Sequence, residues 1–351
     1  MSSGPAPGQK EATQPPLRVG VLGTGSIVKG AMIDAAAAVP EVVVAAIGSR
    51  SVERAATYAR SHGVPLALTY EELIDHPDVD VVYVALPPSL HAEWSIRALE
   101  RGKHVLCEKP ATVNAAEARQ VAGAVERSGR VYMEACHYLF HPFTKRLRDM
   151  LDTGAIGRID AAEVVMRIPA AFIPPDDSKR KFELGGGALM DAGCYALRGL
   201  RSVLGSPVRV VSAEATLDDR DPRLDLAVQG VVEFSEGRRG QFLVSFLASG
   251  EPEVMLRATG SRGRLVANRY MVPHFGASLG LEWPGGTYTE NADPLPSYVF
   301  QLRELVRCIR DGAPVLTTAE DSASLMKVID EIYVAAGLEA RGWPQGQART
   351  D

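Results

Sequence analysis

Between Leu17 and Cys136 the chain alternates between two hydrophobic textures. Short β-branched runs at Leu17–Leu22, Val42–Ile47, Val79–Leu86, Lys103–Cys107 and Arg130–Glu134 predict strands. Amphipathic stretches at Ile27–Ala38, Val52–Ser61, Leu90–Arg101 and Ala115–Ser128 predict the helices between them. Strands made almost wholly of Val, Ile and Leu are buried on both faces, so the pattern implies a parallel sheet covered by helices on each side. Asn114 is the expected N-cap of the last of these helices.

After Cys136 the texture changes. A helix over Phe143–Thr153 and a strand over Asp160–Ile168 lead to a Pro-rich loop, Pro169–Pro175, and a Gly-rich helix start. Strands then follow in series at Val208–Leu217, Leu226–Phe234, Gly240–Ala248, Val254–Ala258 and Arg264–Asn268. Several alternate apolar and polar positions, as antiparallel strands with one covered face do. Two helices, Tyr298–Arg310 and Ala319–Ala336, close the pattern. The reading is an α/β domain over 17–136 and an α+β domain over 137–345, preceded by a disordered Ser-, Gly- and Pro-rich tail over 1–16. No internal repeat is visible.

Composition removes function classes. The 351 residues are 46% hydrophobic and 23% charged, with net charge -5. No dense Lys/Arg run exists, which argues against nucleic acid as a partner. No segment approaches the ~18 uninterrupted apolar residues of a membrane span; the nearest, Ala35–Ile47, contains Pro40 and Glu41. Cys107, Cys136, Cys194 and Cys308 are far apart and form no CxxC, so neither a metal site nor a disulfide framework is expected. A reducing cytoplasm fits.

The candidate chemistry begins at Gly23-Thr24-Gly25-Ser26-Ile27-Val28, after the first strand and at a helix start. Gly23 permits a tight turn, Gly25 lets backbone approach a pyrophosphate, and the first helical amides face the phosphates. Val28 departs from the usual third small residue. The bland alternative is an ordinary glycine turn. At the end of the second strand, where NAD enzymes place an acid for the ribose, stand Ser49 and Arg50. A hydroxyl and a guanidinium suit a 2′-phosphate, so NADP is favoured over NAD; otherwise Arg50 is a solvated surface residue.

Lys109 follows a buried strand and precedes Pro110, at the carboxyl edge where open parallel sheets bind ligands. Further on, Asp191 and Tyr195 are four residues apart, which in an α-helix puts both on one face. The Gly185–Gly187 run before them permits close approach of a ligand. A phenol has a pKa near ~10, and a neighbouring ammonium would favour phenolate and ease proton exchange. The competing readings are a strand-capping lysine, a helix-capping aspartate and a core tyrosine.

Together, Gly23–Val28, Glu108-Lys109-Pro110 and Ala188–Tyr195 resemble the glucose–fructose oxidoreductase / inositol dehydrogenase / MocA family over about Leu17–Leu338. Within it they look like the branch with tyrosine where inositol dehydrogenases carry histidine. That branch includes dimeric dihydrodiol dehydrogenases, NADP-dependent xylose dehydrogenases and sugar 3-ketoreductases. The resemblance implies a Rossmann domain joined to an open, mostly antiparallel sheet that pairs in a homodimer or a dimer of dimers. It implies hydride transfer at a carbinol or carbonyl carbon of a carbohydrate or diol, with Tyr195 as acid/base, Lys109 as its partner and Asp191 orienting substrate. Leu86, Pro87, Pro88, His91 and Glu108 match the family's nicotinamide side, with His91 alternatively a helix-start surface residue. Where that branch often has arginine, this chain has Leu139, flanked by His137, Tyr138 and His141. Packing at a domain junction is the expectation for both histidines. Two other readings stand beside a dehydrogenase: a glycoside-modifying enzyme that uses bound NAD(P) transiently, and a non-catalytic dinucleotide-binding protein.

Overall fold

The structure, a computed structural model, describes residues 14–341. Residues 1–13 of the expected tail and 342–345 of the expected second domain lie outside the described residues. Strands β1 (Leu17–Leu22), β2 (Val42–Gly48), β3 (Leu66–Leu68), β4 (Val81–Val84), β5 (His104–Cys107) and β6 (Tyr132–Glu134) form one parallel sheet in the order β3-β2-β1-β4-β5-β6. This is the doubly wound dinucleotide-binding order, whose crevice opens where the order reverses, between β1 and β4. All four residues of β4 are buried, as covering on both faces requires.

Helical segments cover that sheet. They are α1 (Ser26–Val28), α2 (Ala35–Ala37), α3 (Val52–Ser61), α4 (Tyr70–Asp75), α5 (His91–Glu100) and α6 (Ala115–Ser128). Between α1 and α2 the chain is π-helical over Lys29–Asp34, so the expected single helix carries a widened turn. Asn114 caps α6 as expected, accepting from the Glu117 amide at 2.8 Å. The short β3 and α4 were not legible as elements; α4 is started by a capping box between Thr69 and Glu72.

Beyond α7 (Pro142–Asp152) lie β7 (Ile159–Pro169), α8 (Cys194–Leu204), β8 (Pro207–Leu217), β9 (Asp225–Phe234), β10 (Arg239–Ala248), β11 (Glu253–Gly260), β12 (Gly263–Asn268), β13 (Ser278–Trp283) and β14 (Gly286–Asn291). The eight strands are ordered β14-β13-β12-β11-β7-β10-β9-β8, antiparallel except for β7 with β10. β13 and β14 form a hairpin that the hydrophobic pattern does not announce, because its outer strand GTYTEN is exposed and polar. Helix α8 packs across β7 and β10, burying Tyr195, Leu197 and Leu200 against Val164, Phe242 and Val244.

Sequence order and spatial order part company at the end. Helix α9 (Ser297–Arg310) does not join the second sheet. Val299, Leu302 and Leu305 enter the core of the first, beside Val19, Val21 and Met32. Helix α10 (Ala319–Ala335) then straddles both bodies, touching α6, α8 and β8. Among the described residues no helix is long and apolar enough to cross a membrane.

Candidate active site

The glycine turn is built to leave space. Gly23 has φ +112°, and a Cβ there would sit 2.4 Å from the Ala85 carbonyl oxygen, so no other residue fits. At Gly25 a Cβ would meet nothing within 4 Å, which marks open room above the helix start. Gly25 is the N-cap and supplies no side-chain acceptor, so the first-turn amides at Ser26 and Ile27 remain available to an anion. Val28 is fully buried and turned inward, so its bulk does not narrow the turn. These features fit a dinucleotide pyrophosphate.

Beyond β2, Ser49 is 5% exposed and its amide donates to Leu68 O, while Arg50 stands exposed beside it. Arg54 is a residue that sequence reasoning missed. From the first turn of α3 its Nε donates to Thr24 Oγ1 at 2.9 Å, tying the glycine turn to the Ser49–Arg50 corner. Its place just after Arg50, in the first turn of the helix that follows β2, was the available signal.

A cleft of about 180 Å³ brings Ile27, Leu86, Glu108, Lys109 and Asp191 together with Lys179. The Lys109–Pro110 peptide is cis. Lys109 Nζ donates to Asp191 Oδ1 at 2.7 Å and to the Asp191 carbonyl at 3.0 Å. An ammonium has three donors, so one remains for a ligand. Burial opposes the charge on both partners, yet their mutual attraction prevails: the Lys109 pKa is raised and that of Asp191 lowered. The ammonium lies 4.7 Å from the centroid of the Tyr195 ring. Among the described residues nothing hydrogen-bonds the Tyr195 hydroxyl, and its ring is 6% exposed.

The expected helix face is different in detail. Leu189–Gly193 is π-helical, and α8 begins only at Cys194, so Asp191 and Tyr195 meet across a widened turn. Asp225 fixes that turn by accepting from the Leu189 amide at 2.7 Å; it is itself held by Tyr333 and Arg341. Sequence reasoning missed Asp225, which is 36 residues away on another strand. The expected lowering of the Tyr195 pKa is also absent from the protein alone. Burial raises it well above its ordinary value, with Glu108 and the buried thiols of Cys136 and Cys194 adding to the effect. The phenol is therefore neutral, the form that donates a proton.

The surroundings of His91, Glu108 and Gly186 add detail to what the sequence suggested. His91 does not reach the cleft: it is fully buried, Nδ1 lying 2.8 Å from Pro110 O and Nε2 2.7 Å from Leu86 O. Its two ring nitrogens tie together the loops that carry Leu86 and Lys109. Glu108 accepts from the Tyr83 hydroxyl and, through Oε2, from the Lys109 amide at 3.3 Å, and burial raises its pKa. Gly186 lines the cleft, but a Cβ on it would strike the Ser178 and Lys179 carbonyls at 2.6 Å. Close packing of the protein on itself therefore demands that glycine. Pro87 opens the turn Pro88–Leu90 that leads to His91.

The histidines of the joining segment pack, as expected. The His137 ring lies tilted 4.3 Å from Tyr298 and 6.2 Å from Tyr195; burial holds its pKa down to about 3, so it stays neutral. His141 caps α7 through Nδ1. Nearby, Glu134 accepts from the Ala111 amide, from Ser322 and from Arg198. It thereby links the Lys109 turn to the helix that carries Tyr195.

Comparison with known proteins agrees with this geometry. Residues 17–136 match the model of an oxidoreductase family with an NAD-binding Rossmann fold, and residues 144–266 that of the GFO/IDH/MocA C-terminal domain. D-xylose 1-dehydrogenase (NADP(+)) 2 of Haloferax volcanii is 36% identical over 90% of this chain and 96% of its own. A dTDP-3,4-didehydro-2,6-dideoxy-α-D-glucose 3-reductase of Actinomadura kijaniata is 34% identical over 93% of this chain and 98% of its own. A solved 3-ketoreductase from that organism, in complex with NADP and TDP-benzene, superposes with TM-score 0.83 at 30% identity, covering 91% of this chain and 98% of the other.

Proposed function

The chain belongs to the GFO/IDH/MocA family of oxidoreductases, and from that premise we propose that it moves a hydride between NADP and a carbinol or carbonyl carbon of a sugar, a nucleotide-linked sugar or a cyclic diol. The observation that carries this reading is the Lys109 ammonium held between Asp191 and the Tyr195 ring, in a cleft shared with Ile27 of the glycine-turn helix. NADP is favoured by Ser49 and Arg50 standing where an acid would read the ribose, with Arg54 beside them, and by the NADP-dependence of the named xylose dehydrogenase.

When bound, the nucleotide supplies or receives the hydride. The first-turn amides at Ser26 and Ile27 hold its phosphates. Asp191 fixes Lys109, whose remaining donor orients the substrate oxygen. In the reducing direction the carbonyl carbon gains the hydride and its oxygen takes the Tyr195 proton, leaving an alcohol and a phenolate. The Lys109 ammonium beside the ring stabilises that phenolate until solvent returns the proton. Oxidation reverses each transfer.

The second sheet supplies the surface for a second copy. Val208 and Val211 on β8 and Leu247 on β10 are exposed, and the open face carries a groove of about 320 Å³ between Glu163, Glu214 and Gln241. A monomer by light scattering at assay concentration would remove the dimer from this reading.

The deciding experiment follows NADPH absorbance with aldoses, nucleotide-linked keto-sugars and cyclic diols. Turnover on one class, lost in Tyr195→Phe while NADPH still binds, is the expected result. Tight nucleotide binding without net consumption, with product formed, would move the reading to transient use of the cofactor. Binding with no product from any compound would leave a sensor.

A further inference from the structure

A second cavity, of about 220 Å³, opens behind α8 and shares no lining residue with the Lys109 cleft. Arg148 of α7, Arg198 and Arg201 of α8, Ser202, Leu139 and Asp321 line it. Three guanidinium groups thus face one carboxylate. Asp321 is shared between Arg198 and Arg201, and Glu134 engages Arg198 from the protein interior. Arg148 has no hydrogen bond or ion pair among the described residues.

The donors are also under-used. Arg198 is 5% exposed, and its Nε finds no partner; Arg201 NH1 is likewise buried and unpartnered. Buried N–H groups of charged side chains are almost always satisfied. Guanidinium forks match the oxygens of phosphate better than any neutral ligand. Leu139 lines the same cavity and brings no charge of its own.

We propose that this cavity is a binding site for a phosphate group, gripped by Arg148, Arg198 and Arg201 and separate from the cofactor and substrate cleft. The volume admits inorganic phosphate or the phosphate of a small ester, and falls short of a second nucleotide. Its position gives it a route to the reaction. Arg198 lies three residues beyond Tyr195 on α8, and the carboxylate it holds, Glu134, also holds the Ala111 amide beside the Lys109 turn. An anion drawing on Arg198 competes with Asp321 and Glu134 for the same guanidinium.

The test is calorimetric titration of the full chain, saturated with NADP so that the nucleotide's own phosphate positions are filled. The titrants are inorganic phosphate and glycerol 3-phosphate, with chloride at equal ionic strength as the blank. Saturable binding is expected, weakened by about tenfold or more in Arg148→Ala, which breaks no ion pair, and lost in Arg148→Glu. Tighter binding of the ester would identify a phosphorylated metabolite as occupant, and tighter binding of inorganic phosphate the free ion. No saturable heat with either titrant would overturn the proposal. So would an unchanged affinity in Arg148→Ala, or a loss seen in Arg50→Ala instead, which would place the phosphate at the nucleotide corner.

Discussion

Two buried ion pairs join the halves of this molecule, and their surroundings set them apart. Arg198 and Glu134 have side chains 5% and 1% exposed, and Glu134 is saturated by Ala111, Ser322 and Arg198. Lys109 and Asp191 are 14% and 19% exposed at the lip of a cleft, with one ammonium donor uncommitted. Both are lysine or arginine against carboxylate. The sealed pair keeps Glu134 wholly within the protein and holds the bodies in register, while its arginine also borders the second cavity. The open pair keeps capacity for a ligand and stands over a phenol with a free hydroxyl. Solvent access, not charge type, separates structure from chemistry here.

The largest expected effect breaks the sealed side. Arg198→Met leaves Glu134 buried without its cation, a change that costs about 3–5 kcal/mol. Thermal unfolding should show a large fall in Tm, partly restored by adding Glu134→Gln. An unchanged Tm would mean that the network is not holding the bodies together.

On the open side, Tyr195→Phe removes one hydroxyl that bonds to nothing among the described residues. The Tm should move little, while kcat falls by about 10²–10⁴, the usual worth of a positioned acid or base. A Tm loss as large as that of Arg198→Met would put both regions in the same class.

Lys109→Met tests whether the open pair is chemical as well as electrostatic. Asp191 loses its main attraction and its hydrogen bond, leaving Lys179 alone against burial, so its pKa rises. The expected outcome is a fall in kcat/KM of about 10²-fold or more with a Tm change smaller than that of Arg198→Met. Full activity in the folded variant would dismiss the proton-transfer scheme.

A smaller effect concerns the nucleotide corner. Arg50→Ala should weaken NADPH by about ten- to a hundredfold, the worth of a charge-assisted contact of about 1.5–3 kcal/mol, and leave NADH almost untouched. Calorimetry with both nucleotides measures it; equal losses would show that Arg50 does not read the 2′-phosphate.

The smallest effect lies on α10. Asp330 accepts from the Ala115 amide at 2.9 Å, yet burial raises its pKa to about 6. A carboxyl whose folded pKa exceeds its unfolded value favours the fold at low pH, and that advantage is lost as pH rises from about 4 to 6. Asp330→Asn keeps the acceptor and removes the charge, so stability above pH ~6 should rise by about 1 kcal/mol. Tm measured across that range should then slope less steeply than in the parent.

Much of the first body was legible because its signals are local. A run such as Val81–Val84 can only be a covered strand, and Gly23 is demanded by a turn formed from its own neighbours. The same locality located Lys109, Asp191 and Tyr195, though not their relation. The fold brings Lys109 to Asp191, on a π-helical turn, across 82 residues. His91 shows the limit: a histidine after a proline turn looks like a ligand, and only packing reveals both ring nitrogens against backbone carbonyls. Arg54 was missed because one arginine on an exposed helix looks like any other until Thr24 is beside it.

By itself the sequence determined the alternation of elements, the glycine turn, the Ser49–Arg50 pair at the end of β2 and the positions of the candidate residues Lys109, Asp191 and Tyr195. Each rests on neighbours within a few positions, where backbone sterics and hydrophobic period act. Tertiary structure decided that α9 completes the first core, that the Tyr195 phenol is neutral and that three arginines share one cavity. Burial and electrostatic pairing depend on which distant groups meet and on how much water remains between them, and only the folded chain sets both.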